Sequence, residues 1–236
     1  MSFLRMPIAT AAALALIAAC NGSSSLGPPT DPDYDPMIDA ADFDGGPIDN
    51  PYLPLIPGTT FHYLSETETN DVIVTQQTKQ ILGITATVVH DQVFLDGELI
   101  EDTFDWFAQD NEGSIWYLGE DSRELENGQV VSTEGSWEAG VDGAKPGIIM
   151  QANPQIGQRY YVEFYIGHAE DEAIVVSLNA SAVVPFGEFA GCLESDEFTR
   201  LEPGAGEHKF YCPGIGLVLE EASDGERNEL VGIDEP

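Results

Sequence analysis

Basic side chains are scarce in this chain. Only 8 Lys and Arg stand against 42 Asp and Glu, and the formal net charge is −34. Nucleic-acid binding needs clustered cations against phosphates, so that class is excluded. The same balance argues against docking of the folded part on an anionic lipid surface. Histidine and cysteine are few, at 4 and 3. They form no His-x-Glu-x-x-His or Cys-x-x-Cys spacing, and no Gly-x-Ser-x-Gly elbow or phosphate loop is present. No segment after Cys20 is long and apolar enough to span a bilayer. No amphipathic helix is evident there either.

What is present begins with an address. Arg5 is the only charge before a small apolar run from Ile8 to Ala19. A positive start, a short apolar stretch and small residues at its end mark a secretory signal peptide. Ile17-Ala18-Ala19-Cys20 resembles the bacterial lipobox, in which cleavage precedes a cysteine whose thiol is acylated. Residues 1–19 are therefore expected to be removed and Cys20 lipidated. Several acyl chains on one residue give a durable anchor, where one chain binds only marginally. The resemblance implies a cell-envelope protein. Asn21 resembles the residue that follows the cysteine in outer-membrane lipoproteins, should the host have two membranes. Lipidation would also account for the odd thiol, leaving Cys192 and Cys212 free to pair after export.

Residues 20–49 read as a lipidated, acidic Ser/Pro/Asp tether with little to build a core. Asp31, Asp33, Asp35, Asp39 and Asp42 fall on ligand offsets of a calcium-binding EF-hand loop. Pro36 stands where that loop needs Gly, and Asp42 where it needs a bidentate Glu.

From Asn50 to about residue 233 the pattern is β. Short β-branched, alternating runs are separated by turn residues. Asp96-Gly97 and Asn127-Gly128 are type I′ hairpin signals, because both central positions must accept positive φ. The expected fold is all-β: an antiparallel meander that curls into an open or closed barrel to manage its edges. The turns predict Phe94 opposite Leu99, Val89 opposite Phe104, Phe107 opposite Trp116, Leu125 opposite Val130 and Leu118 opposite Trp137. That register would gather Trp116, Phe107 and Trp137 on one face, as core or as the wall of an apolar cavity. Residues 138–158 break the pattern, and a connection of that length is often functional. Its Ile148-Ile149-Met150 could close the mouth of the sheet or complete the core. Cys192 and Cys212 lie at nearly equal distances from the Glu202–Gly206 turn, which supports a disulfide across a hairpin.

Several phrases resemble a family of uncharacterised bacterial secreted proteins and lipoproteins. They are Asn50-Pro51-Tyr52-Leu53-Pro54-Leu55-Ile56-Pro57-Gly58-Thr59-Thr60, Asp105-Trp106-Phe107-Ala108-Gln109-Asp110, Trp116-Tyr117-Leu118-Gly119-Glu120, Ser136-Trp137-Glu138-Ala139-Gly140-Val141-Asp142-Gly143 and Tyr211-Cys212-Pro213-Gly214-Ile215-Gly216-Leu217-Val218. The resemblance spans roughly residues 50–220 and implies no agreed activity. In architecture the meander is similar to lipocalin-type or lipoprotein-carrier β-folds.

Three function classes follow. The first is a non-enzymatic binding or carrier lipoprotein for a small apolar ligand held by Trp106, Phe107, Trp116 and Trp137. The second is a calcium-dependent surface or adhesion module using Glu138, Asp142, Glu170 and Asp171, oxygen-rich positions of the kind calcium takes. The third is a small hydrolase or lyase around His168 or His208, each of which has carboxylates nearby in sequence. The first class needs no cofactor; its partners are the membrane, through the lipid on Cys20, and the ligand.

Overall fold

The computed structural model describes residues 33–236. The signal segment 1–19, Cys20 and Asp31 lie outside the described residues. The described chain is antiparallel β with one short 3-10 turn, Ala40–Asp42. The strands are β1 Thr60–Leu64, β2 Glu68–Ile81, β3 Ile84–Leu95, β4 Glu98–Gln109, β5 Ile115–Asp121, β6 Glu124–Glu126, β7 Gln129–Ser132 and β8 Trp137–Glu138. They continue as β9 Gly147–Met150, β10 Arg159–Tyr161, β11 Asp171–Val184, β12 Gly187–Thr199, β13 Gly206–Cys212, β14 Gly216–Ala222 and β15 Arg227–Asp234.

Neighbours run β10-β11-β12-β13-β14-β15-β1-β2-β3-β4-β5-β8, with β9 also on β5 and the small β6–β7 hairpin branching from β4. The meander is thus permuted once: β15 returns to pair with β1. The sheet curls but does not close through a continuous ladder. Its ends approach where Lys145 donates its backbone N–H to Phe164 O at 2.8 Å. A Cβ on Gly147 would lie 1.9 Å from Val162 O, so only glycine permits that approach.

Turn chemistry sets most of the register. Asp96-Gly97 and Asn127-Gly128 have positive φ at both positions, as their type I′ signals require. Phe94 pairs with Leu99, and Leu125 with Val130. Leu82-Gly83 turns the same way, although leucine gives no sequence signal for it. The turn at 110–114 overturns one expectation. The Asp110 carboxylate accepts the N–H groups of Glu112, Gly113 and Ser114 through Oδ1 and the Trp116 indole N–H through Oδ2. This wrap makes the loop one residue longer than expected, so Phe107 faces Tyr117 and not Trp116. A register shift between Val93 and Phe94 likewise puts Val89 opposite Asp105 instead of Phe104. Trp137 pairs with Glu120 and not Leu118. A slip of one residue sends every side chain to the other face.

Because register partners share a face, one face can be followed across the sheet. Phe61, Val72, Asp91 and Thr103 form one row, and Val74, Val89 and Asp105 the next. On the far side, Val175, Ser195, Lys209 and Glu220 align in the same way. This inner face is divided. Val74, Val89, Ile115, Met150, Val175, Leu193 and Leu230 belong to one closed apolar cluster. The rest of the face is acidic. The Cys192–Cys212 disulfide, with Cα atoms 4.2 Å apart, staples β12 to β13 within the apolar cluster. It closes a sequence separation of 20 residues, worth about 3 kcal/mol in the chain-entropy account.

Two expectations are corrected by the packing. Residues 33–49 do not form a free tether. Tyr34 packs on Tyr161 and Phe164, Phe43 meets Trp116 edge-on, and Ile48 is buried in a bridge with Leu55. This segment covers the outer face of the sheet, where Ile84, Ala86, Val88, Trp106 and Leu118 would otherwise meet water. The 138–158 connection is not a lid. Gly147–Met150 is a strand on β5, with Met150 fully buried in the inner cluster. The triplet completes the core.

Candidate functional site

The acidic half of the inner face contains two charge centres. In the first, Lys209 on β13 is buried among three carboxylates: Glu207 at 2.9 Å, and Glu197 and Glu220 at 3.3 Å each. Burial pulls the ammonium pKa down, but the three carboxylates outweigh it and hold Lys209 well above the usual value. Glu207 is pushed up to about 8, chiefly by burial. Asn228 donates to Glu220 at 2.8 Å, and Ser195 to Glu197 at 2.8 Å. This centre is charge-paired and hydrogen-bonded.

The second centre lies at the β4–β5–β8 end; among the described residues no ammonium is ion-paired within it, and the more distant Lys209 charge pulls Asp105 and Glu163 down only in part. Asp105 and Glu120 are register partners, and the Tyr117 hydroxyl lies 2.5 Å from Asp105 Oδ1 and 3.0 Å from Glu120 Oε2. Burial raises Asp105 to about 6. Burial, then the negative charges of Glu163 and Asp105, raise Glu120 well above the carboxylate range. Glu163 is raised in the same way, by burial and then Asp171 and Asp105. Glu120 Oε1 is buried without a hydrogen-bond partner, while the Trp137 indole N–H is directed at the Glu163 carboxyl and lowers its pKa against the burial. An unpartnered buried oxygen of this kind is rare in folded proteins.

A shallow groove of about 300 Å³ opens beside this centre, lined by Lys79, Trp106, Glu120, Asp121, Trp137 and Glu138 among others. Local sequence explains its shape. Gly119, at φ 130°, lets the β8 backbone come so close that a Cβ there would lie 2.3 Å from Trp137 O. That approach places Trp137 against Tyr117, with ring centroids 5.3 Å apart. At the mouth, the Lys79 ammonium sits 3.1 Å from the Trp106 ring centroid and 2.8 Å from Glu138 Oε2. An aromatic face and a carboxylate thus hold one cation between them.

The residues expected from sequence are distributed as follows. Trp106 and Trp137 both line the groove, but Trp116 packs under Phe43 on the outer face, and Phe107 stacks on Tyr117 on the inner one. The four do not form one apolar wall. His168 stacks on Tyr165 in the turn before β11, while His208 on β13 has its Nδ1 3.3 Å from Glu194 Oε1. Neither lines the groove, and they do not assemble into one catalytic group. The calcium candidates do not converge. Glu138 binds Lys79, Asp142 stands in an exposed turn, Glu170 accepts the Gly167 N–H, and Asp171 is half-buried at the start of β11. Among the described residues, no group of three or more His, Cys, Asp or Glu side chains is arranged to hold a metal ion. Of the aspartates at EF-hand offsets, Asp35 pairs with Lys145 and Asp39 caps the 3-10 turn.

Asp105, Tyr117, Glu120 and Glu163 were not expected as site residues. The first three sit inside the phrases Asp105–Asp110 and Trp116–Glu120 that carry the family resemblance. No family model matches the chain, and searches of the curated proteins and of the solved structures return no match.

Proposed function

We propose that the chain is a lipid-anchored cell-envelope protein whose β-domain binds, without catalysis, a small organic cation in the groove at the β5–β8 edge. The observation that carries this reading is the seat of Lys79. Its ammonium lies against both the Trp106 ring and the Glu138 carboxylate. A ligand ammonium would find the same two partners once the flexible lysine swings out. An apolar cargo is the poorer fit. The interior positions that a lipocalin-like carrier would leave open are filled by Val74, Ile115, Met150 and Leu193, and the groove presents the charged pair Lys79–Glu138 at its mouth.

Calorimetric titration with n-butylammonium tests the binding reading. Weak binding is expected for the wild-type chain, and roughly five- to tenfold tighter binding for Lys79→Ala, because the resident competitor is gone. Absence of binding to both proteins would remove the groove from consideration. The anchor rests on Ile17-Ala18-Ala19-Cys20. Replacing Cys20→Ser should abolish labelled palmitate incorporation and release the protein from membrane pellets. Retention of both label and pellet in that variant would refute lipidation.

A further inference from the structure

We infer that the outer edge of β7 takes up an extended, cationic segment of another protein as an added β-strand. This surface is separate from the groove and does not depend on what the groove binds.

A strand edge presents a row of unpaired N–H and C=O groups, a template on which another chain can pair. The ends of the main sheet face each other, where Lys145 N–H reaches Phe164 O and the Gly147 backbone packs on Val162 O. The β6–β7 hairpin is left out of that closure. β6 pairs with β4 through Glu124 and Glu101, and β7 pairs with β6 alone. Among the described residues, no strand lies on the other side of β7. The turn fixes which backbone groups are free. Asn127-Gly128 makes Glu126 and Gln129 the pair that closes the hairpin. That pair exchanges both hydrogen bonds, and ladder alternation then turns the N–H and C=O of Val130 to the open side. Val130 and Val131 are 52% and 55% exposed. Valine favours extended backbone and offers apolar contact, whereas a blunted edge carries lysine or proline.

Charge names the partner. Glu124 and Glu126 stand on β6, and Glu134 follows β7. Burial, then the charges of Glu134 and Glu126, raise the Glu124 pKa, so the three carboxylates feel one another. Arg123, the basic residue next to them in sequence, is held by Asp121 at 2.6 Å instead. A second copy of this chain would bring the same three charges to the contact, and like charges across strands are destabilising. A strand that carries lysine or arginine reverses the sign. Main-chain hydrogen bonds then give such a partner its affinity and side chains its selectivity. Strands stand about 4.8 Å apart, so an added strand lies about 10 Å from β6. A lysine and a glutamate together span that distance. Ser132, which pairs with Glu124 and stands between it and the open side, is too short to block the reach.

The test titrates the purified chain with a blocked hexapeptide of alternating lysine and valine, and with the same peptide N-methylated at its four central nitrogens. Both carry the same charge, but only the first has an edge to pair. It is expected to bind about tenfold or more tightly, the worth of one or two net hydrogen bonds. Val130→Pro removes the outward N–H without touching a bond to β6 and should abolish the difference; a thermal melt checks that the variant is folded. Glu124→Gln, Glu126→Gln and Glu134→Gln together should weaken the unmethylated peptide severalfold. Glu188→Gln, Asp224→Asn and Glu235→Gln remove three exposed charges elsewhere and should weaken it less, which separates this edge from the general pull of an acidic protein on a cation. Equal binding of the two peptides, binding of neither, or a difference that survives Val130→Pro overturns the added strand. Equal losses from the two sets of neutralised acids overturn its cationic character. A chain that dimerises in solution and loses the dimer on Val130→Pro places a second copy on the edge and overturns the proposed partner.

Discussion

Raising the pH from 5 to 9 at constant ionic strength is expected to lower the melting temperature of this domain steeply. Buried carboxyls on the inner face are the cause. Glu101 is raised to about 7, Asp105 to about 6 and Glu207 to about 8, each chiefly by burial. Asp91, Glu120 and Glu163 move in the same direction for the same first reason. An acid whose folded pKa lies above its unfolded value favours the fold while protonated. Its contribution is fully present below the unfolded value, near 4, and is lost as pH rises through the folded value. The window of loss therefore runs from about pH 4 to about pH 8. Each pKa unit is worth a little over 1 kcal/mol, so the three groups with values amount to something on the order of 5–10 kcal/mol. That is comparable with the whole stability of a typical domain. Melts from pH 4.5 to 9 check this. General repulsion among surface acids acts in the same direction, so the variants decide. Glu101→Gln and Asp105→Asn should flatten the fall with pH, whereas neutralising exposed Asp142 should not. A melting temperature flat or rising over this range would contradict the assignment.

The fold was readable from sequence where turn chemistry is local. Asp96-Gly97 and Asn127-Gly128 specify their hairpins because positive φ at two successive positions leaves few alternatives. The disulfide was readable because the cysteines flank one hairpin, and Leu193 pairing with Tyr211 brings Cys192 opposite Cys212. The 110–114 loop was not readable. Its length depends on four hydrogen bonds to one Asp110 carboxylate, and nothing in the residue types fixes that number. The resulting shift moved Trp116 to the face opposite Phe107 and dissolved the expected aromatic wall.

The site was harder to read for a different reason. Alternation marks which residues share a face, but acidic positions in a chain of this composition read as solvent-facing. Glu101, Asp105 and Glu120 were hidden by that assumption. Burial of so many carboxyls is possible because the sheet curls and brings β13 with Lys209 inside the same enclosure, a contact between residues far apart in sequence. The phrases around Pro51 and Gly214 also gain a structural meaning. Gly214 donates its N–H to Pro51 O at 2.7 Å, so the opening and closing phrases of the family resemblance lock the same end of the sheet.

Replacing Lys209 is expected to have the largest effect of any single substitution, and one that depends on pH. Lys209→Met keeps most of the side-chain volume and removes the cation that pairs with Glu197, Glu207 and Glu220. Breaking a buried ion pair by removing one partner costs roughly 3–5 kcal/mol, because the remaining charge is left buried and uncompensated. At pH 7.5 the variant should therefore lose most of its stability, and its melt should broaden or disappear. At pH 5 the carboxyls have another route to neutrality, which is to take up protons. The loss there should be smaller by a few kcal/mol. Denaturant titrations of wild type and variant at both pH values measure the difference directly. An equal loss at pH 5 and pH 7.5 would mean that Lys209 acts through packing alone. A loss confined to the higher pH identifies the buried ammonium as the counter-charge that lets an acidic sheet close around its own carboxylates.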